Sequence, residues 1–231
     1  MNATGQAPHE QLSAANKRVG LKTGILIIGS LFWDTAPARQ LWRQQRLSMT
    51  DARLVWLPIR YGRLSTSRSN THTMVFSTLR YRRKQLGNGW IIPCMRDVKS
   101  FADLQDEVTA LANAEGLSSW TWGAVALLRN PSSDIPVEIM REWRQYFTLK
   151  TRDCRVFARH LKSEWPALGK TGVLRIHWPK PVQQHFEVDL LLSAATEPSL
   201  ISRTKEVFQV SLRRGNRLTV CESKAFRLLH Q

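Results

Sequence analysis

Cysteine is scarce in this chain and poorly placed for pairing: Cys94, Cys154 and Cys221 are odd in number and far apart. That argues against a disulfide framework and fits a reducing compartment with buried thiols. Neither a CxxC pair nor a Cys/His cluster at zinc spacing occurs, so a structural zinc module is not expected. Long hydrophobic runs are missing too. The opening one begins at Ile25 and stops at Gly29, far short of the ~20 apolar residues a membrane-spanning helix needs. The reading is of a cytoplasmic protein with no membrane partner. There is no Gly-x-Ser-x-Gly, and the serines and histidines assemble no recognisable nucleophile set.

Acidic residues are the other shortage. Eighteen Asp and Glu face thirty-four Lys and Arg, a formal net charge of +16, which attracts polyanions or anionic substrates through a long-range field and says nothing about fold. The excess is local. From Arg39 to Arg96 there are twelve basic residues and one acidic, Asp51, whereas Asp97 to Met140 holds two basic and seven acidic. Arg39, Arg43 and Arg46 recur at helical spacing as one stripe beside Trp42, and Arg80 to Lys84 adds a basic cluster around Tyr81. Nucleic acid or another polyanion is therefore one expected partner.

What is present is a globular composition, 42% hydrophobic with nine Trp in 231 residues, enough for a full core. Residues 1–21 lack both an apolar segment and a helical stripe and read as a disordered tail; residues 22–231 read as a single domain. Extended segments are expected over Thr23 to Leu31, Arg53 to Ser65, Thr71 to Leu79, Trp90 to Cys94, Trp122 to Leu128, Gly172 to Trp178, Phe186 to Leu192 and Arg217 to Cys221. Arg53 to Ser65 and Thr71 to Leu79 pair as a hairpin across a polar loop. Helices are expected over Ala36 to Leu47, with Asp34 or Thr35 as N-cap, over Ser100 to Ala114, over Val137 to Phe147 and over Glu197 to Arg213. The second is the clearest: Phe101, Leu104, Val108 and Leu111 recur at three and four, Ser100 and Asp103 form a capping box, and Gly116 supplies the stop. Interspersed elements with hairpin connections predict an α+β fold with a mixed, barrel-like sheet and flanking helices.

The chemistry-bearing pattern is Ile-Ile-Gly-Ser-Leu at 27–31 followed by Glu115-Gly116. A buried strand that breaks at a glycine exposes backbone N–H groups able to cradle a carboxylate. Glu115 closes a helix at its negative end, where ionisation is disfavoured, as a general acid or base near neutral pH requires.

A strand ending Gly-Ser-Leu, then a hairpin, a Trp-led strand and a helix ending Glu-Gly resembles the gamma-glutamylcyclotransferase-like family, over about Gly24 to Leu128. Ile28 stands where the family has Tyr. The resemblance implies that family's fold, with residues 22–150 as the core and 151–231 as a C-terminal extension packed on it. It also implies a cofactor-independent enzyme that cyclises a gamma-glutamyl or related amide. Glu115 would be the acid/base, Gly29, Ser30 and Leu31 would bind a small anionic amide substrate, and Arg60, Arg63 or Arg68 would clamp a second carboxylate. Two alternatives stand beside it. In one, a catalytically retired fold binds nucleic acid through its basic face. In the other, a metal-dependent nuclease uses His185, Glu187 and Asp189, which share one face of a strand, with His177 joining from a neighbour; the leading reading assigns no metal.

Overall fold

The computed structural model describes residues 20–65, 71–77, 86–117, 119–152, 167–179 and 187–196. The segments expected at Glu197 to Arg213 and Arg217 to Cys221, the cluster Arg80 to Lys84, and Arg68 and His185 lie outside the described residues. Among the described residues seven strands, β1 (Thr23–Ile27), β2 (Arg53–Leu57), β3 (Ile59–Ser65), β4 (Thr71–Phe76), β5 (Gly87–Pro93), β6 (Gly123–Arg129) and β7 (Leu190–Thr196), are interleaved with three α-helices, α1 (Pro37–Arg46), α2 (Phe101–Glu115) and α3 (Val137–Arg152).

Burial explains the opening apolar run. Every residue of β1 is buried, because it is the middle strand of a five-stranded sheet ordered β2-β5-β1-β7-β6, and a strand covered on both faces reads as continuous apolar sequence. It runs antiparallel to β5, with Ile25 opposite Ile92 and Ile27 opposite Trp90, and parallel to β7, with Ile25 beside Leu192. The sheet is therefore mixed and the class α+β. Among the described residues it does not close into the expected barrel. The run from Arg53 to Ser65 is cut at Pro58, which lacks the N–H a ladder needs and whose carbonyl accepts from Ser77 N at 2.7 Å. Its second half pairs only with β4, as a separate two-stranded sheet.

Three further expectations shift. Leu21, placed in the tail, is buried and exchanges backbone hydrogen bonds with Val98 at 2.8 and 2.9 Å. Gly172 to Trp178 forms no strand: Val173 and Leu174 make only single bridges, to Leu127 and Leu168. Gly172 lies in the left-handed region at φ 75°, where a Cβ would sit 2.3 Å from Phe147 Cδ2, so the backbone turns tightly against that ring. Phe186 lies outside the described residues, and the last described strand starts at Leu190, since the Asp189 carboxylate binds Lys22 N at 2.8 Å and Ser133 Oγ at 2.7 Å, closing the ladder there. That strand, from the part expected to pack on the core as an extension, supplies an interior position between β1 and β6.

Both long helices follow their sequence signals. Ser100 Oγ accepts from Asp103 N while the Asp103 carboxylate accepts from Ser100 N, and Gly116 ends α2 at φ 73°. Its buried stripe is Leu104, Val108, Leu111 and Ala112. Helix α3 buries Ile139, Met140, Trp143 and Phe147, and the Trp120 and Tyr146 rings pack edge-on beside them, 6.0 Å apart. Replacing Ser100 by Ala removes an acceptor for an orphan helix N–H, and should lower stability by about 1 kcal/mol. In urea unfolding this appears as a lower midpoint at an unchanged slope.

Candidate functional site

The first half of the site follows β1. Ile28 and Leu31 are buried, Gly29 and Ser30 half-buried. The chain makes one 3₁₀ turn over Ser30–Phe32, with Trp33 N and Asp34 N both donating to Ser30 O at 3.1 and 2.9 Å. Gly29 is extended, at φ −156°, and a Cβ there would meet nothing within 4 Å. Its glycine therefore answers no steric demand; it leaves backbone uncovered beneath open space. The expected N-cap is corrected. Ala36 occupies that position without a side-chain cap, and Pro37 opens the helix, since Asp34 instead accepts from Ala36 N at 2.9 Å and pairs with Arg39.

Helix α1 decides what this loop touches. The stripe Arg39, Arg43 and Arg46, expected to face a polyanion, is engaged with the protein itself. Arg43 is only 8% exposed; its guanidinium donates to Leu31 O and to Asp34 O, each at 2.5 Å. Burial lowers its pKa from the ordinary value, partly offset by Asp34, and it remains a cation because arginine starts so high. Arg39 pairs with the Asp34 carboxylate and donates through Nε to Ala114 O at 2.9 Å. Arg46 reaches Asp106 Oδ2 at 2.8 Å and Glu107 Oε1 at 3.0 Å. The stripe is real as a helical face, but Trp42, 7% exposed, turns that side toward the core.

The second half is the end of α2. Glu115 is its last residue and is half-buried, directly after the carbonyl that Arg39 holds. One turn of α1 thus bonds both the Gly29-Ser30-Leu31 loop and the residue preceding Glu115. The connection leaving Glu115 is fixed by Leu117 N donating to Ala112 O at 2.6 Å and by the buried Trp120, a non-glycine residue at φ 51°. Such a backbone persists only where the surroundings over-determine it. Arg63 lies over the Trp122 ring in this same connection, 4.1 Å from its centroid. Arg60 leans along β3, its Nη1 3.5 Å from Tyr61 O.

Two of the proposed cation ligands, Glu187 and Asp189, are otherwise employed. Glu187 pairs with Lys22 at 3.1 Å on the surface, and both Asp189 oxygens hold the start of β7. Among the described residues no group of three His, Cys, Asp or Glu is placed to hold a metal ion, and no helix is long and apolar enough to cross a membrane.

Glu107 is the residue that sequence reasoning missed. It sits on the buried side of α2 at 5% exposure, and its Oε2 has no hydrogen-bond partner. It borders a cavity of about 50 Å³ shared with Arg96, Asp97, Val98, Asp103 and Asp106. Burial pushes its carboxyl up, with Arg46 opposing. Burial and Glu107 together push the Cys94 thiol up as well, so that cysteine stays protonated and is no nucleophile. The only sequence signal was a Glu within the apolar stripe of a helix. No family model, curated protein or solved structure matches the chain.

A pH dependence follows from Glu107. Its folded-state pKa is above the unfolded value of about 4.3, so the folded chain binds this proton more tightly. The associated stability is present below the unfolded pKa and is lost as pH rises through the folded one. The groups facing it are Arg46 from α1, Asp106 on α2, and Arg96 and Cys94 from the segment after β5. In thermal melts across this range, Glu107→Gln should lose the decline that wild type shows; parallel pH profiles would remove Glu107 as its source.

Proposed function

We propose that the chain is a cofactor-independent enzyme of gamma-glutamylcyclotransferase-like fold that cyclises a gamma-glutamyl or related amide. The observation that carries this reading is the α1 bridge: Arg39 holds Ala114 O beside Glu115 and pairs with Asp34, while Arg43 holds the Leu31 and Asp34 carbonyls. The proposed acid/base and the proposed anion cradle are thereby anchored to adjacent turns of one helix.

The reaction follows from those groups. The substrate's free α-amine attacks its own side-chain carbonyl carbon, forming the ring C–N bond. Glu115 takes the amine proton, and backbone N–H groups of the Gly29–Leu31 turn steady the charge that develops on oxygen. Collapse breaks the original amide C–N bond as Glu115 returns the proton to the leaving nitrogen. The products are 5-oxoproline and a free amine; no water, metal or electron carrier enters the balance. Holding the amine and carbonyl in one bound conformer contributes through orientation, since both reacting groups already belong to one molecule. Ile28, where the family has Tyr, removes a phenol from this account, so the backbone and Glu115 carry it alone. Arg63 and Arg60 on β3 remain the proposed partners of a second carboxylate, with Arg63 held at Trp122 in the connection after Glu115.

A panel of gamma-glutamyl amines and peptides, read by 5-oxoproline release, tests the proposal. Wild type should turn over at least one member, and Glu115→Gln should lower kcat by about 10²- to 10⁴-fold with the fold intact. Equal turnover by the two would take Glu115 out of the mechanism.

A further inference from the structure

With the arginines of α1 bonded inward, the exposed positive charge lies elsewhere. Helix α3 carries Arg141, Arg144, Thr148 and Arg152, all exposed, at spacings of three, four and four that place them on one face. No ion pair among the described residues involves any of these three arginines. Of the acidic residues of the helix, Glu142 projects to one side of the stripe by helical geometry, and Glu138 precedes Arg141 by one turn at the stripe's N-terminal end. A shallow hollow of about 410 Å³ runs beside it, lined by Arg144, Gln145, Thr148 and Leu149. From Arg141 to Arg152 the stripe extends about 16 Å, comparable with the axial rise of about five phosphates on one strand of a duplex.

We propose that this face of α3 binds the phosphate backbone of duplex nucleic acid without reading its sequence. This is a second property of the chain, independent of the proposed cyclisation. Three features select the partner. Unpaired guanidiniums in a row match phosphates in charge and in hydrogen-bonding geometry, and the net charge of +16 adds a long-range attraction. The stripe has no aromatic of its own on which an unpaired base could stack, since the Tyr146 ring is half-buried with Lys150 over it at 5.7 Å; a single strand would lose its main non-ionic contact. A bilayer surface is disfavoured because the apolar face of α3, Met140, Trp143 and Phe147, is already buried in the core and cannot enter lipid.

The test is fluorescence anisotropy of a labelled 20-base-pair DNA duplex with the full chain over ~25 to ~200 mM salt. Its comparison variant combines Arg141→Gln, Arg144→Gln and Arg152→Gln. Wild type should lose affinity steeply with salt. The triple variant should bind at least about tenfold more weakly at the lowest salt, with a log–log slope shallower by about 2 to 3, roughly one per lost phosphate contact. Arg129→Gln, an exposed charge on β6, should change the slope by less than one. Equal melting temperatures would show that the triple variant is folded. If it melts lower, each single variant should still lose about one unit of slope. The proposal is overturned if wild type shows no salt-dependent duplex binding or the arginine variants match it. It is also overturned if single strands, an acidic peptide or anionic vesicles bind more tightly than duplex at equal salt.

Discussion

The arrangement of the candidate site depends on one buried cation. Arg43 is held under the turn after β1 with both guanidinium arms on main-chain carbonyls. A charge in that position is tolerated only when its hydrogens are satisfied, so the turn and the helix constrain each other. The Leu31 and Asp34 carbonyls therefore point toward α1. Arg39, one helical turn earlier, applies the same constraint to Ala114 and thereby to the end of α2. Arg46, near the other end of α1, engages the middle of α2 through Asp106 and Glu107. Three arginines from one face thus fix the relation of two helices and a loop.

That cross-linking rests on the sheet. The central strand β1 delivers the turn, β5 and β7 flank it on either side, and the last described strand completes the interior. Ser193 Oγ donates to Leu26 O at 2.7 Å, adding a side-chain tie between strands that already share a parallel ladder. The candidate site is therefore carried by the end of a central strand and the end of a helix, regular elements that favour precise placement of its groups. The β3–β4 hairpin stands apart as a second small sheet and meets the segment after Glu115 through the Arg63 and Trp122 stack.

Periodicity made the local structure legible where burial was one-sided. The α2 stripe with its capping box and glycine stop, and the β3–β4 hairpin around a polar loop, were readable because each signal is confined to neighbouring residues. Pairing between distant segments was not. Nothing within Leu190 to Thr196 states that it lies between β1 and β6, and an alternating run from Arg53 to Ser65 hides the break that Pro58 imposes. At the site, Gly29 and Glu115 were visible as motifs, but the charge stripe of α1 was read with the wrong sign of exposure. Arginines at helical spacing look alike whether they face phosphates or buried carbonyls; only Trp42, on their flank, hinted at the core. The exposed counterpart on α3 was obscured because its arginines share the helix with a strong apolar stripe.

The central claim is that the Gly29–Leu31 turn and Glu115 form one site under the control of α1. A crystal structure with 5-oxoproline bound tests it most directly. The arrangement predicts the product against the backbone N–H groups of that turn, with its ring nitrogen or carbonyl about 2.6–3.2 Å from the Glu115 carboxylate, and Arg39 and Arg43 still on their carbonyls. Product seated elsewhere, or a Glu115 carboxylate directed away from product bound at the turn, would contradict it.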